Sequence, residues 1–240
     1  MINIKRLFFL FAFFACYFTS ESCNAQKINQ FNEKKQRTGV WKKYYPNKRI
    51  RYTGQFKNGK EVGVFKFYDI TTSNHPTIIK TFFADSDSLF VQFYTLKGKI
   101  KTEGVLNKRA RVGNWKYFYP DGTIMAEENY NKQGKLDGEQ LVYYPNGQVT
   151  EFSVYKNGKL HGTTSKFASN GNLIEEVVYK NGKENGLAKY FELNGKLKEK
   201  GVYKDGKRVG KWEYYLDGEL APEELKEKKK KFVLKKDIKD

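Results

Sequence analysis

The chain has 240 residues, of which 39% are apolar and 16% aromatic, with 17 Tyr, 19 Phe and a formal charge of +18. That length would hold one or two ordinary domains, but a repeat running from residue 39 to about 220 excludes two and leaves a single elongated body. Rings must supply most of any buried area, and the charge either points to anionic partners or keeps an open sheet soluble and its edges guarded.

Residues Met1 to Arg6 carry Lys5 and Arg6, Leu7 to Phe18 form an apolar run, and Ser20 to Gln26 reads SESCNAQ with small residues at Cys23 and Ala25. This order marks residues 1–25 as a secretory signal peptide, cleaved after Ala25 to leave Gln26 as the new N-terminus. The run is too short for an ordinary transmembrane helix, which needs roughly 20 residues. Lipidation of Cys23 is the alternative, although Ser20 stands where a lipoprotein signal places Leu. Both Cys16 and Cys23 precede the cut, so the mature chain can form no disulfide, zinc site or thiol nucleophile. Export to the periplasm, the outer membrane or the medium argues against nucleic acid as the partner. It favours a protein or an anionic envelope component.

Residues 26–38 are polar and read as a loose linker. Units then open at Gly39, Gly63, Leu89, Gly113, Gly138, Gly162, Gly186 and Gly210, the last four spaced by 24 residues. A fixed period of this size marks a quasi-one-dimensional array whose units bury apolar surface only against neighbours. With the opening residue as position 0, position +5 is aromatic in every copy: Tyr44, Tyr68, Tyr94, Phe118, Tyr143, Phe167, Phe191 and Tyr215. A turn signal follows near +8 and +9, as in Pro120-Asp121-Gly122, Asn194-Gly195 and Asp217-Gly218. A second aromatic recurs at +17 (Phe56, Tyr130, Tyr155, Tyr179, Tyr203), followed by turns such as Asn58-Gly59 and Asn157-Gly158. Each unit is two short strands and two tight turns, which predicts an all-β, single-layer antiparallel meander of about seven hairpin repeats.

A two-residue first turn of type I′ would set position n opposite 17 − n, with side chains alternating between faces. One face then collects Trp41, Trp115, Trp212, Phe65 and the +17 aromatics, and Gly54 lies opposite Trp41, whose ring can cover the bare backbone. The other face carries the +5 ladder amid Lys, Arg and Glu, which makes those eight rings the candidate partner-binding site. Two units depart from the pattern. The one opening at Gly63 has the longer loop Thr71 to Pro76, and the next lacks the opening Gly and has Arg109 in its second turn, which marks both for a local bend or a specific contact.

From Pro222 the tail reads as a short helix start followed by the basic run from Lys226 to Lys231, so residues 221–240 form a basic tail, helical in part. No catalytic, cofactor or metal constellation is visible. His75 lies in the long loop, His161 is an ordinary turn residue, and Asp85-Ser86-Asp87-Ser88 lacks the Gly and the bidentate Glu of a calcium loop.

The run from Tyr52 to Gly63, YTGQFKNGKEVG, resembles a MORN repeat, and the units with G-x-W-x-x-Y-Y and P-N-G turns resemble the bacterial MORN variant, often labelled YwqK-type antitoxins. The resemblance covers residues 39 to about 220. It implies an elongated β-meander that binds proteins or membrane lipids, while a cytoplasmic antitoxin role sits badly with the leader. The expected function is an exported, non-enzymatic binding scaffold. An anionic membrane-surface binder using the basic tail and a toxin-neutralising immunity protein are the alternatives.

Overall fold

Two kinds of tight turn and the longer loop at Thr71 to Pro76 return the chain on itself, and the computed structural model describes residues 27–222 of the resulting meander. The expected signal peptide, and the basic segment from Glu223 with its expected helix, lie outside the described residues. The strands are β1 (Gln30–Phe31), β2 (Arg37–Tyr44), β3 (Ile50–Lys57), β4 (Lys60–Phe67), β5 (Ile78–Phe82) and β6 (Ser88–Tyr94). They continue with β7 (Ile100–Asn107), β8 (Ala110–Phe118), β9 (Ile124–Tyr130), β10 (Leu136–Tyr143), β11 (Val149–Lys156) and β12 (Lys159–Leu160). The last are β13 (Gly162–Phe167), β14 (Leu173–Lys180), β15 (Lys183–Phe191), β16 (Leu197–Lys204), β17 (Lys207–Leu216) and β18 (Glu219–Leu220). All pairings are antiparallel and, apart from that of β11 with β13, join chain neighbours, giving one open sheet of 18 strands; the described residues are 63% strand with no helix. Strand β12 is a short continuation against β11, which β13 then joins.

Within a unit the 17 − n register holds through +4: Gly39 faces Phe56, Trp41 faces Gly54, and Lys43 faces Tyr52. It then slips, and Tyr44 pairs with Ile50. The two-residue first turn is corrected here. The amide of Tyr119 donates to Thr123 O at 2.8 Å and that of Gly122 to Tyr119 O at 2.9 Å, which closes a three-residue loop. Gly122 is left-handed (φ 98°) while Asp121 is not, so the turn is type I followed by a left-handed residue, and the extra residue becomes a bulge. The two-residue type I′ geometry belongs to the Asn-Gly and Asp-Gly second turns, as where Asn157 (φ 51°) and Gly158 (φ 81°) are both left-handed and Lys156 pairs with Lys159, whereas the second turn after Tyr130 is a three-residue loop closed from Asn131 N to Lys135 O at 2.9 Å. The last first-type turn, Asp217-Gly218, is one residue shorter, and it alone among them is of this two-residue kind (φ 55° and 90°), with Leu216 facing Glu219.

Side-chain alternation puts the +2 and +15 residues in one row across the sheet, and this row is the core. Trp115, Phe65, Val91, Val177, Ser153 and Ala188 are its fully buried members. The ring that covers each row glycine is not that of its hairpin partner. A Cβ on Gly54 would run into the Phe65 ring, one on Gly104 into Trp115, and one on Gly201 into Trp212, so each ring lies over the +15 glycine of the preceding unit. At two junctions +15 carries a larger residue and the next +2 residue shrinks, Ser153 being followed by Thr164 and Val177 by Ala188, both buried, whereas Glu128 at +15 faces Gln140 at +2 and accepts its hydrogen bond at 3.1 Å. Close packing is met by trading volume across the unit boundary.

The units are also tied through their turns. The hydroxyls of Tyr45, Tyr119 and Tyr144 at position +6 donate to the carbonyls of Tyr68, Tyr143 and Phe167 at +5 of the following unit, at 2.7–3.0 Å. The second-turn glycines 59, 158, 182 and 206 donate backbone hydrogen bonds to the carbonyls of residues 37, 136, 160 and 184. The departing units keep the sheet continuous. Strands β5 and β6 pair without a slip, and the longer loop lays the His75 ring against Gly98 in the next first turn and 5.9 Å from the Tyr94 ring. Residues 27–36, expected to be a loose linker, instead close the N-terminal end. β1 pairs with β2, Phe31 packs edge-on against Trp41 at 5.1 Å, and the Trp41 indole donates to Gln30 O.

Candidate binding surfaces

All eight +5 rings stand on the face opposite the core row, beside the first turns. Tyr44 is 47% exposed and the others are half-buried. Their polar neighbours are largely committed to one another: Lys116 pairs with Glu127 at 3.8 Å, Lys189 with Glu176 at 2.9 Å, and Lys200 with Glu213 at 3.1 Å. Tyr143 donates to Glu127 at 3.1 Å and Tyr215 to Glu213 at 2.6 Å. Burial, with the Glu127 hydrogen bond added, raises the Tyr143 phenol above its ordinary range, and burial with Glu103 nearby raises Tyr94. The hydrogen bond from Tyr215, followed by that from Lys200, lowers the Glu213 carboxyl. The ladder is thus a cross-strand network in its own right, with Tyr44 its most open ring.

The core face holds charge that was not expected there. Arg37, Arg111 and Arg208 lay their guanidinium groups over Trp41, Trp115 and Trp212, with the central carbon 4.8, 4.7 and 3.9 Å from the ring centroids. Each Arg stands four residues before its Trp, so the pattern Arg-x-Gly-x-Trp, present at every tryptophan of the chain, is the sequence signal for this pairing. An arginine over an indole shields the ring from water and gains a cation–π contact of about 0.5–2 kcal/mol. Arg111 also donates to the hydroxyls of Tyr117 and Tyr130, at 2.6 and 3.2 Å, and both phenols donate to Glu128 at 2.5 Å. Burial, and then this bond to Glu128, push the Tyr117 phenol strongly up. Arg208 pairs with Glu199 at 3.1 Å beside Tyr203.

A third surface is the edge formed by the second turns. Lys57 faces Lys60, Lys156 faces Lys159, Lys180 faces Lys183, and Lys204 faces Lys207, each pair flanking its turn directly across the strands. All eight are exposed, and none makes an ion pair among the described residues. Like charges set directly opposite oppose strand pairing, so the edge carries repulsion that an anion would relieve.

With this geometry the chain can be set beside known proteins. The MORN repeat variant family matches residues 37–58, 111–132, 136–157, 160–181 and 184–205, and the two departing units lie between the first and second matches. Among solved structures, a GtfA/B complex is 11% identical over 39% of this chain and 19% of that one, with a TM-score of 0.27. A mutant of S. aureus TarM in complex with Fondaparinux, alpha-GlcNAc-glycerol and UDP is 18% identical over 40% of this chain and 19% of that one, also with a TM-score of 0.27. The chain spans about a fifth of either protein, and superpositions of that quality imply no common fold or activity. Comparison with curated proteins gives no match. Five matched units, each in phase with the Gly and aromatic ladder, show that the chain belongs to the MORN repeat variant family.

Proposed function

We propose that this protein is an exported, non-enzymatic scaffold whose partner is an anionic component of the cell envelope or an acidic protein. MORN repeats are in general binding and scaffold modules. The observation that carries the reading is the lysine edge, where four opposed pairs recur on the same side of the sheet. Consecutive pairs in adjacent units are two strands apart, or about 9.5 Å at normal strand spacing. Each such pair costs up to about 1 kcal/mol in the free protein, a cost that contact with a repeating anion would remove. The leader read at residues 1–25 directs the chain to where such components lie.

The experiment is capture from envelope extract by the mature protein, repeated with a variant in which Lys156, Lys159, Lys180 and Lys183 are serine. Capture that is lost in the variant, and lost by wild type in high salt, supports the proposal when the melting temperature is kept. The same material retained by the variant would refute the edge as the site. Vesicles containing an anionic phospholipid, tested in parallel, separate a lipid surface from a protein or polysaccharide. Export is checked by the intact mass in the envelope fraction, where a species retaining Met1 or carrying a lipid on Cys23 would overturn the cleaved, unlipidated form.

A further inference from the structure

The core row changes character along the array. At Trp41, Trp115 and Trp212 it holds indoles under arginines, whereas between the last two, from Ser153 to Ala188, it holds small residues bordered by carboxylates. Thr164 lies at the centre of this middle stretch. By register its same-face neighbours are Ser153 and Val177 on either side, Lys166 along its own strand, and Glu151, Tyr155, Glu175 and Tyr179 on the diagonals. Thr164 is only 3% exposed, and its hydroxyl has no hydrogen-bond partner among the described residues.

The surrounding groups are incompletely matched. Glu175 is held by Lys166 at 3.0 Å, but Glu151 accepts only the Ser153 hydroxyl, at 2.8 Å, and has no cationic partner among the described residues. The hydroxyls of Tyr155 and Tyr179 make no hydrogen bond among the described residues, and both rings are half-exposed. Burial, followed by Glu151 and Glu128, raises the Tyr155 phenol. Burial, followed by Glu184 and Glu175, pushes Tyr179 up to about 12. The strip is locally negative on a chain whose net charge is +18.

We propose that this strip receives an arginine side chain from a basic, extended segment of a partner protein. The guanidinium stacks on the Tyr155 and Tyr179 rings, pairs with Glu151 and donates to the hydroxyl of Thr164. Arginine suits the strip better than lysine, because its planar and weakly hydrated head stacks on phenol rings while its fork bonds a carboxylate. The chain fills the flanking tyrosine and carboxylate pairs with its own arginines, Arg111 at Tyr130 and Glu128 and Arg208 at Tyr203 and Glu199, whereas this strip has none among the described residues.

The test is isothermal titration of the mature, full-length protein with a Gly/Ser peptide carrying one central arginine, and with its citrulline counterpart. The expected result is measurable binding of the arginine peptide and affinity at least tenfold lower for citrulline, the loss of one charge-assisted contact. Glu151→Gln, which preserves size and the Ser153 contact, should weaken the arginine peptide at least tenfold, and Thr164→Val should weaken it less, both with unchanged melting temperatures. Equal binding of the two peptides, or full affinity in Glu151→Gln, would overturn the assignment. So would a tenfold gain in affinity when Lys226, Lys228, Lys229, Lys230 and Lys231 are replaced by serine, since the chain's own tail would then be the occupant.

Discussion

Volume trading across unit boundaries can be tested by rewriting one junction in the manner of its neighbour. Gly201 lies under the Trp212 ring, while one unit earlier the same two positions hold Val177 and Ala188. Trp212 is 9% exposed, and stripping a buried Trp to Ala costs about 3–5 kcal/mol. Because this sheet is single-layered, the lower end, about 3 kcal/mol, applies to Trp212→Ala. Gly201 does not have the left-handed φ that would exclude a side chain, so Gly201→Val acts through the collision with the ring alone, at about 1–3 kcal/mol for overpacking. In the double variant the valine fills the space the indole leaves. The two costs should therefore fall short of additivity by about 1–3 kcal/mol, the usual range for residues in direct contact. Urea unfolding of the four proteins, followed by far-ultraviolet circular dichroism, measures the coupling. If the two effects sum to within about 0.5 kcal/mol, ring and glycine are energetically independent and the proposed packing rule fails.

Gly158→Val places a branched residue at φ 81° and should lower stability by about 1–2 kcal/mol in thermal melts, whereas the same change at Gly201 is relieved by removing Trp212. Arg111→Met should cost about 1–2 kcal/mol by uncovering Trp115 and removing the donor to Tyr117 and Tyr130, and Arg111→Lys should recover only part of this. The folded-state pKa of Tyr179 lies above the ordinary phenol value of 10, so the unfolded chain loses that proton first. Its contribution to stability is complete below pH 10 and declines as the pH rises toward 12, and Tyr179→Phe should flatten the fall in melting temperature over that interval.

The period, strand count and alternation of faces were legible because Gly and aromatic residues recur in phase, and a period of two fixes which side chains share a face. The turn type was not. Pro-Asn-Gly fits both a two-residue and a three-residue loop, and only the hydrogen bond from Tyr144 to Gln148 decides between them. The glycine under each buried ring lies one strand away from the one the sequence register indicates, for a related reason. The pairing between units contains a bulge beside the left-handed opening glycines, such as Gly63 (φ 67°), and counting along the sequence cannot place it. The arginines over the tryptophans were written plainly as Arg-x-Gly-x-Trp, but charge close to a core aromatic reads as solvated surface until the ring is seen beneath it. The acids around Thr164 were hidden likewise, because their row looks apolar at the N-terminal end, where Tyr52 and Phe67 occupy it.

The trade of volume between neighbours determines which pieces of the chain could be lost or copied during its history. Excising residues 162–185 would bring Ser153 against Ala188, a junction with slack but no conflict. Excising residues 186–209 is the same length of cut, yet it would drive Val177 into Trp212. A cassette that begins and ends at an opening glycine therefore carries half of two different fits, whereas one cut inside a hairpin, between +2 and +15, carries whole fits. Lineages of this protein should gain and shed units along the second frame, leaving hybrid hairpins as the scars of exchange.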